Sequence, residues 1–186
     1  YITKNLYIKK DKIVIIENFC DITNENITNN IRQITSKNVL KLVTLSRLVK
    51  WKNIDTLIKV SKKLEAIQLN IIGSGPEEKY LKALANKNIN IRFHGPLNRA
   101  NSIQLLNSCD CFIQISSYEG MSFSILESLY LNKPMILSSI KANFETAKSA
   151  SLYVNQFSES QIFSAIELMK DINIRTHFSK ESKLIN

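Results

Sequence analysis

At 186 residues the chain has room for one α/β domain with a sizeable core, and no uninterrupted apolar run reaches the ~18 residues that a membrane-spanning helix needs. Its formal charge of +9 is uneven: residues 1–63 hold 13 Lys/Arg against 5 Asp/Glu, the remainder 12 against 11. Such a basic pole suits nucleic acid, an anionic membrane surface or a phosphorylated substrate, but a Lys-, Asn- and Ile-rich composition accounts for it with no partner, and the Arg-plus-aromatic interleaving of a single-strand binder is absent.

In chain order, Lys12 to Glu17 reads as a strand-like run, followed by a polar, Asn-rich stretch from Asn18 to Asn30. Residues 1–38 thus form an N-terminal strand and linker, and residues 39–186 the main domain. Val39–Leu45 reads as a strand, and Asn53–Ala66 as a helix with Ile54, Leu57, Ile58 and Leu64 on one face. Then come a strand at Leu69–Ile72, a helix at Pro76–Ala85, a strand at Ile89–Phe93 and a helix at Arg99–Asn107. Cys111–Ile115 is a strand, apolar except for Gln114, and Ser124–Leu131 a helix. A strand at Pro134–Leu137, a short helix at Asn143–Ser149, a strand at Leu152–Val154 and a final amphipathic helix at Ser158–Lys170 complete the series. Strands alternating with helices imply crossover units: a Rossmann-like parallel sheet with helices on both faces. Ligands then bind at the carboxyl ends of the strands, which directs attention to loops 46–52, 73–76, 94–98, 116–123 and 138–142.

The three cysteines, Cys20, Cys109 and Cys111, have no disulfide-framework or zinc-site spacing. They read as small buried apolar residues in a reducing compartment, which points to the cytoplasm. The chain starts at Tyr1, as expected of a piece of a longer protein.

Three loops hold residues suited to chemistry. Gly73-Ser74-Gly75-Pro76-Glu77 follows a strand and opens a helix, but it lacks the third glycine of a dinucleotide fingerprint and the Gly-Lys-Ser/Thr of a P-loop, so by itself it is a tight turn. Ser46 to Lys52 places Arg47, Lys50 and Lys52 at a strand mouth, equally suited to a pyrophosphate or to a solvated basic surface. In Ser116 to Phe123 and the helix after it, Glu119 and Glu127 stand eight residues apart, about two helical turns. Helix-start amides between them suit an anion. Spacing alone favours a capping box, Ser124-x-x-Glu127, in which Glu127 only satisfies a backbone N–H.

Taken in order, the segments resemble the C-terminal domain of family-4 glycosyltransferases, of GT-B architecture, from about Lys12 to Lys170. Ile15 to Asp21 is similar to that family's I-P-N-G-V-D segment, with Glu17 and Phe19 departing from it. Ser46-Arg47-Leu48 with Lys52-Asn53 resembles G-R-L and K-G, with Ser46 in place of Gly. Ile71 to Pro76 resembles I-V-G-x-G-P, and Phe93-His94-Gly95 resembles F-x-G. Cys109 to Ser116 resembles A-D-x-F-x-x-P-S, with Ile115 where Pro is usual. Glu119 to Glu127 resembles the E-x7-E block, with Met121 and Ser122 departing from it, and Asn132-Lys133-Pro134 its x-G-x-P tail.

The resemblance implies a retaining transferase that moves a sugar from a nucleotide-sugar, by family habit a UDP-sugar, to a saccharide or lipid-linked acceptor. Arg47 and Lys52 would hold the diphosphate and stabilise charge on the leaving nucleotide, with no metal ion and no cofactor. Glu119 and the amides of Gly120, Met121, Ser122 and Phe123 would meet the donor sugar and phosphates. Glu127 would bind the ribose, residues around His94 and Gly95 would face the base, and Gly73 would belong to the same donor site. The acceptor domain would lie elsewhere in the same protein, so the isolated chain should bind a nucleoside diphosphate weakly and transfer nothing. The basic pole is compatible with peripheral attachment to the inner membrane face. A GT-B nucleotide-sugar epimerase or phosphorylase, a non-catalytic nucleotide-sugar-binding domain and a nucleic-acid binder are the competing readings, and nucleic acid is the least favoured partner.

Overall fold

The computed structural model describes residues 9–14, 18–20 and 39–185. Six parallel strands form one sheet in the order β3-β2-β1-β4-β5-β6. They are β1 Leu40–Leu45, β2 Ile67–Ile72, β3 Ile91–Gly95, β4 Cys111–Gln114, β5 Met135–Ser138 and β6 Ser151–Val154. The helices are α1 Ile54–Ser61, α2 Glu78–Ala85, α3 Arg99–Ser108, α4 Phe123–Tyr130, α5 Lys141–Ala147, α6 Glu159–Leu168 and α7 Ile172–Ile185. This is the expected Rossmann-like architecture.

Two apolar layers follow from the period-2 alternation of the strands. Leu40 and Leu42 of β1 and Cys111, Ile113 and Ile115 on and after β4 pack on one face, beneath α1, α2 and α6. Val43 of β1 and Phe112 of β4 pack on the other, beneath α3 and α4. Burial of Ile54, Leu57 and Ile58 explains why α1 forms; each fully buried side chain contributes about 1.5–3 kcal/mol. Asn98 and Ser158 cap α3 and α6, accepting from the backbone N–H groups of Asn101 and Gln161.

Several expected boundaries move. The helix expected to reach Ala66 stops at Ser61, because the chain turns through Ala66 at φ +54° to enter β2. β3 runs on to Gly95, which pairs with Ile72, so His94 and Gly95 belong to a strand and not to the loop after it. The expected strand from Lys12 is not formed where the structure describes it: Lys10–Lys12 is a 3-10 turn, and Ile13 and Val14 join no strand. Residues 15–17 and the linker from 21 to 38 lie outside the described residues. Ser158–Lys170 is not the last helix. α7 follows it and presents Ser179 and Ser182 to the carbonyls of Asn132 and Lys133.

Burial raises the Cys109 thiol to about 11 and pushes Cys111 higher still, so both are neutral core groups. No helix among the described residues is long and apolar enough to cross a membrane.

Candidate functional site

The strand order reverses between β1 and β4, and the carboxyl ends of these strands carry the loops singled out above. The loops after β1, β2 and β3 are joined by backbone. Gly73 N–H donates to Gly95 O at 2.8 Å, Leu48 N–H to Ser74 O at 2.9 Å and Glu77 N–H to Leu48 O at 3.1 Å. A Cβ on Gly73, whose φ is +128°, would overlap the Ser46 carbonyl, and one on Gly75 the Leu48 carbonyl. Both glycines therefore permit close loop-to-loop contact, in keeping with the tight turn read from the sequence.

Between these loops lies a cleft of about 540 Å³, lined among others by Ser46, Arg47, Gly73, Gly75, Leu97 and Ser124. Arg47 is exposed at its edge. Ser46 Oγ is buried without a hydrogen-bond partner, as are the hydroxyls of Thr44 and Ser116. Larger is a cleft of about 580 Å³ between α1 and α2, lined by Asp55, Glu77 and Tyr80 and by none of the predicted site residues.

The loops after β1 and β4 are joined mainly by side chains, with one backbone bond between them. Lys52 Nζ donates to Glu119 Oε1, with both side chains largely shielded from solvent. Gln114 Nε2 donates to the same oxygen at 2.9 Å, and Ser122 Oγ donates to Gln114 Oε1 at 3.1 Å. Asn53 Nδ2 reaches Ile115 O at 2.8 Å and Ser117 Oγ at 2.9 Å, while Ser117 N–H donates to Trp51 O at 2.7 Å. Asn53 is left-handed, φ 50° and ψ 34°, a conformation that Asn tolerates better than most residues.

The capping box does not form. Helix α4 starts at Phe123 with Ser122 as N-cap, so Ser124 lies inside the helix and donates its Oγ to Leu45 O at 2.9 Å. Glu127 is buried, with Oε1 3.9 Å from Arg99 Nη2. Arg99 Nη2 also reaches Cys20 Sγ at 3.7 Å, and Asn18 Nδ2 donates to Met121 O at 3.3 Å. Gly120 and Phe123 are exposed, while Met121 and Ser122 are half-buried between them and Glu119. His94 Nε2 lies 3.0 Å from Asn70 Oδ1, whose amide in turn donates to Leu42 O. Burial, with the Arg92 charge adding to it, lowers the His94 pKa from its ordinary value and favours the neutral ring.

The structure thus brings Arg47 and Gly73 together on one cleft and pairs Lys52 with Glu119 beside it. His94 is turned to Asn70. Ser46, Asn53 and Ser124 lie in motifs read from the sequence but with no contact assigned to them, and Gln114 and Arg99 were not read as members of this region. Gln114 gave a signal, as the one polar residue in an apolar strand.

Residues 26–184 match the family described as glycosyl transferases group 1. An uncharacterized glycosyltransferase of Methanocaldococcus jannaschii is 28% identical over 159 residues, which cover 79% of this chain and 40% of that protein. The chain therefore spans about two fifths of the length of that curated relative. Among solved structures, a mutant of S. aureus TarM in complex with fondaparinux, alpha-GlcNAc-glycerol and UDP superposes with a TM-score of 0.79 at 19% identity, over 97% of this chain and 37% of that one. Anabaena HepE in complex with UDP and glucose superposes with a TM-score of 0.69 at 18% identity, over 80% and 43%. Both likenesses establish the fold.

Proposed function

The chain belongs to the group 1 glycosyl transferases, and from that premise we propose that it is the donor-binding part of a retaining, GT-B transferase, the C-terminal half of that architecture. The observation that carries this reading is the cleft at the carboxyl ends of β1–β3, lined by Ser46, with Arg47 exposed at its edge. A diphosphate seated there gains charge-assisted hydrogen bonds from Arg47 and, a short distance along the same loop, from Lys52. Charge that develops on the departing nucleotide is stabilised by the same two cations, without a metal ion.

Lys52 is paired with Glu119. Donor binding shares Lys52 between carboxylate and phosphate, and Glu119 meets the sugar. Glu127, no longer explained by capping, is assigned to the ribose. UDP and its sugars are the favoured ligands, since fold neighbours are seen with UDP and glucose. The acceptor, a saccharide or a lipid-linked saccharide, binds against a second domain of the same protein, and the chain by itself transfers nothing. The whole protein works on the cytoplasmic side, with its basic pole available to the membrane.

A ligand panel tests the reading. UDP, GDP and ADP with their glucose conjugates are added to the chain and the melting temperature is recorded. A ligand at 100 times its Kd stabilises by about 2.7 kcal/mol. UDP ligands are expected to raise the melting temperature most. No shift with any nucleotide overturns the donor-site assignment, and a shift with ADP-glucose alone corrects the base.

A further inference from the structure

Gln114 is buried, 3% exposed, at the carboxyl end of β4, in a strand whose other members are apolar. Its side-chain amide is engaged at both ends by groups of the loop and helix cap that follow. Glu119 is a carboxylate and can only accept, so Gln114 must turn Nε2 toward it, and Oε1 is left to accept from Ser122. This fixes the amide in one orientation. On Glu119 the two donors, Gln114 Nε2 and Lys52 Nζ, converge on Oε1, and Oε2 has no hydrogen bond among the described residues.

Building on the donor-site reading above, we propose that Gln114 is a positioning residue that holds Glu119 in place for the donor sugar when the diphosphate draws on Lys52. The two supports of Glu119 differ in kind. Lys52 is a flexible cation on a loop, and phosphate competes for it. Gln114 is a neutral amide on a sheet strand; a phosphate is drawn to it far less than to a cation, and its rotamer is held by packing and by Ser122. Sites held by strands are more precise than sites held by loops. With Oε1 held by Gln114, Oε2 is free to accept from a sugar hydroxyl. Ser122 is also the N-cap of α4, so the same amide ties Glu119 to the start of the helix whose first amides face the donor.

The test separates sugar-dependent affinity from nucleotide affinity. UDP, UDP-glucose and UDP-N-acetylglucosamine are titrated calorimetrically into the wild-type chain, Gln114→Met and Gln114→Glu. Gln114→Met keeps the volume and removes both hydrogen bonds. Gln114→Glu keeps the shape and sets a second acceptor against Glu119, so it carries the comparison if the Met variant does not fold. UDP affinity is expected to stay within about twofold in Gln114→Met, while in both variants the ratio of UDP-sugar to UDP affinity falls about tenfold, the loss of one hydrogen bond to a charged group. An unchanged ratio, or an equal fall for UDP and its sugars, overturns the positioning role and leaves Gln114 structural. Failure of the wild-type chain to bind UDP at all overturns the donor-site reading itself, a distinguishable result.

Discussion

The two flanks of the strand-order reversal are built by different means. On the β1–β3 flank, loops meet backbone to backbone, through Gly73, Gly75 and the carbonyls of Ser46 and Leu48, and an open cleft with one exposed arginine remains. On the β4 flank a single backbone bond, Ser117 to Trp51, is outnumbered by a side-chain network of Lys52, Glu119, Gln114, Asn53 and Ser122. The first arrangement is rigid and leaves room for a ligand. The second sets the direction of one carboxylate. Backbone contact tolerates no added atom, whereas a side-chain network can exchange a partner, so substitutions on the two flanks should have different consequences.

The largest effect is expected on the β1–β3 flank. Gly73→Ala must place a Cβ where the Ser46 carbonyl lies and hold φ near +128°. Strain and overlap each cost about 1–3 kcal/mol, so a loss of about 3–5 kcal/mol is expected in urea denaturation. A loss below 1 kcal/mol would show that the two loops can part, and the contrast between the flanks would break down.

On the β4 flank the expected loss is smaller. Lys52→Ala leaves Glu119, 10% exposed at its side chain, with Gln114 as its remaining partner. A hydrogen bond to a charged group contributes about 1.5–3 kcal/mol, so denaturation should show a loss of about 2 kcal/mol. Exposed Arg47 should leave stability unchanged within about 0.5 kcal/mol when replaced by Ala. Equal losses in the two variants would mean that Arg47, too, is part of the framework.

The smallest effect is a pH dependence. The folded-state pKa of His94 lies below the ordinary value of 6.5, because of burial and then the Arg92 charge. The unfolded chain therefore takes up this proton first. Stability from this source is complete above about pH 6.5 and falls as pH drops from there through the lower folded value. In denaturation at several pH values, His94→Gln should show a shallower decline over that interval. An identical decline would place its origin elsewhere.

Much of the sheet was legible in the residues, because the β-branched runs alternate with helical periodicity and parallel strands are apolar on both faces. What escaped depends on partners distant in sequence. α7 packs on the core through only three part-buried apolar residues, Ile174, Phe178 and Ile185, and its buried members include Arg175 and Ser182, so its helical period is weak. Ser124 and Glu127 have the spacing of a capping box, but Leu45 O, 79 residues away, takes the Ser124 hydroxyl. Gln114 stood out in its strand, yet nothing local says that Glu119 and Ser122 satisfy its amide. The glycines of Gly73–Gly75 marked a close approach, and only the fold shows that the approaching group is the Ser46–Leu48 backbone.

The central claim is that the cleft beside Arg47 receives a nucleoside diphosphate. Calorimetric titration of UDP into the wild-type chain and into Arg47→Ala tests it most directly. The account predicts binding to the wild type and a loss of about 1.5–3 kcal/mol in the variant, at unchanged melting temperature without ligand. Equal UDP affinity in the two proteins would contradict it.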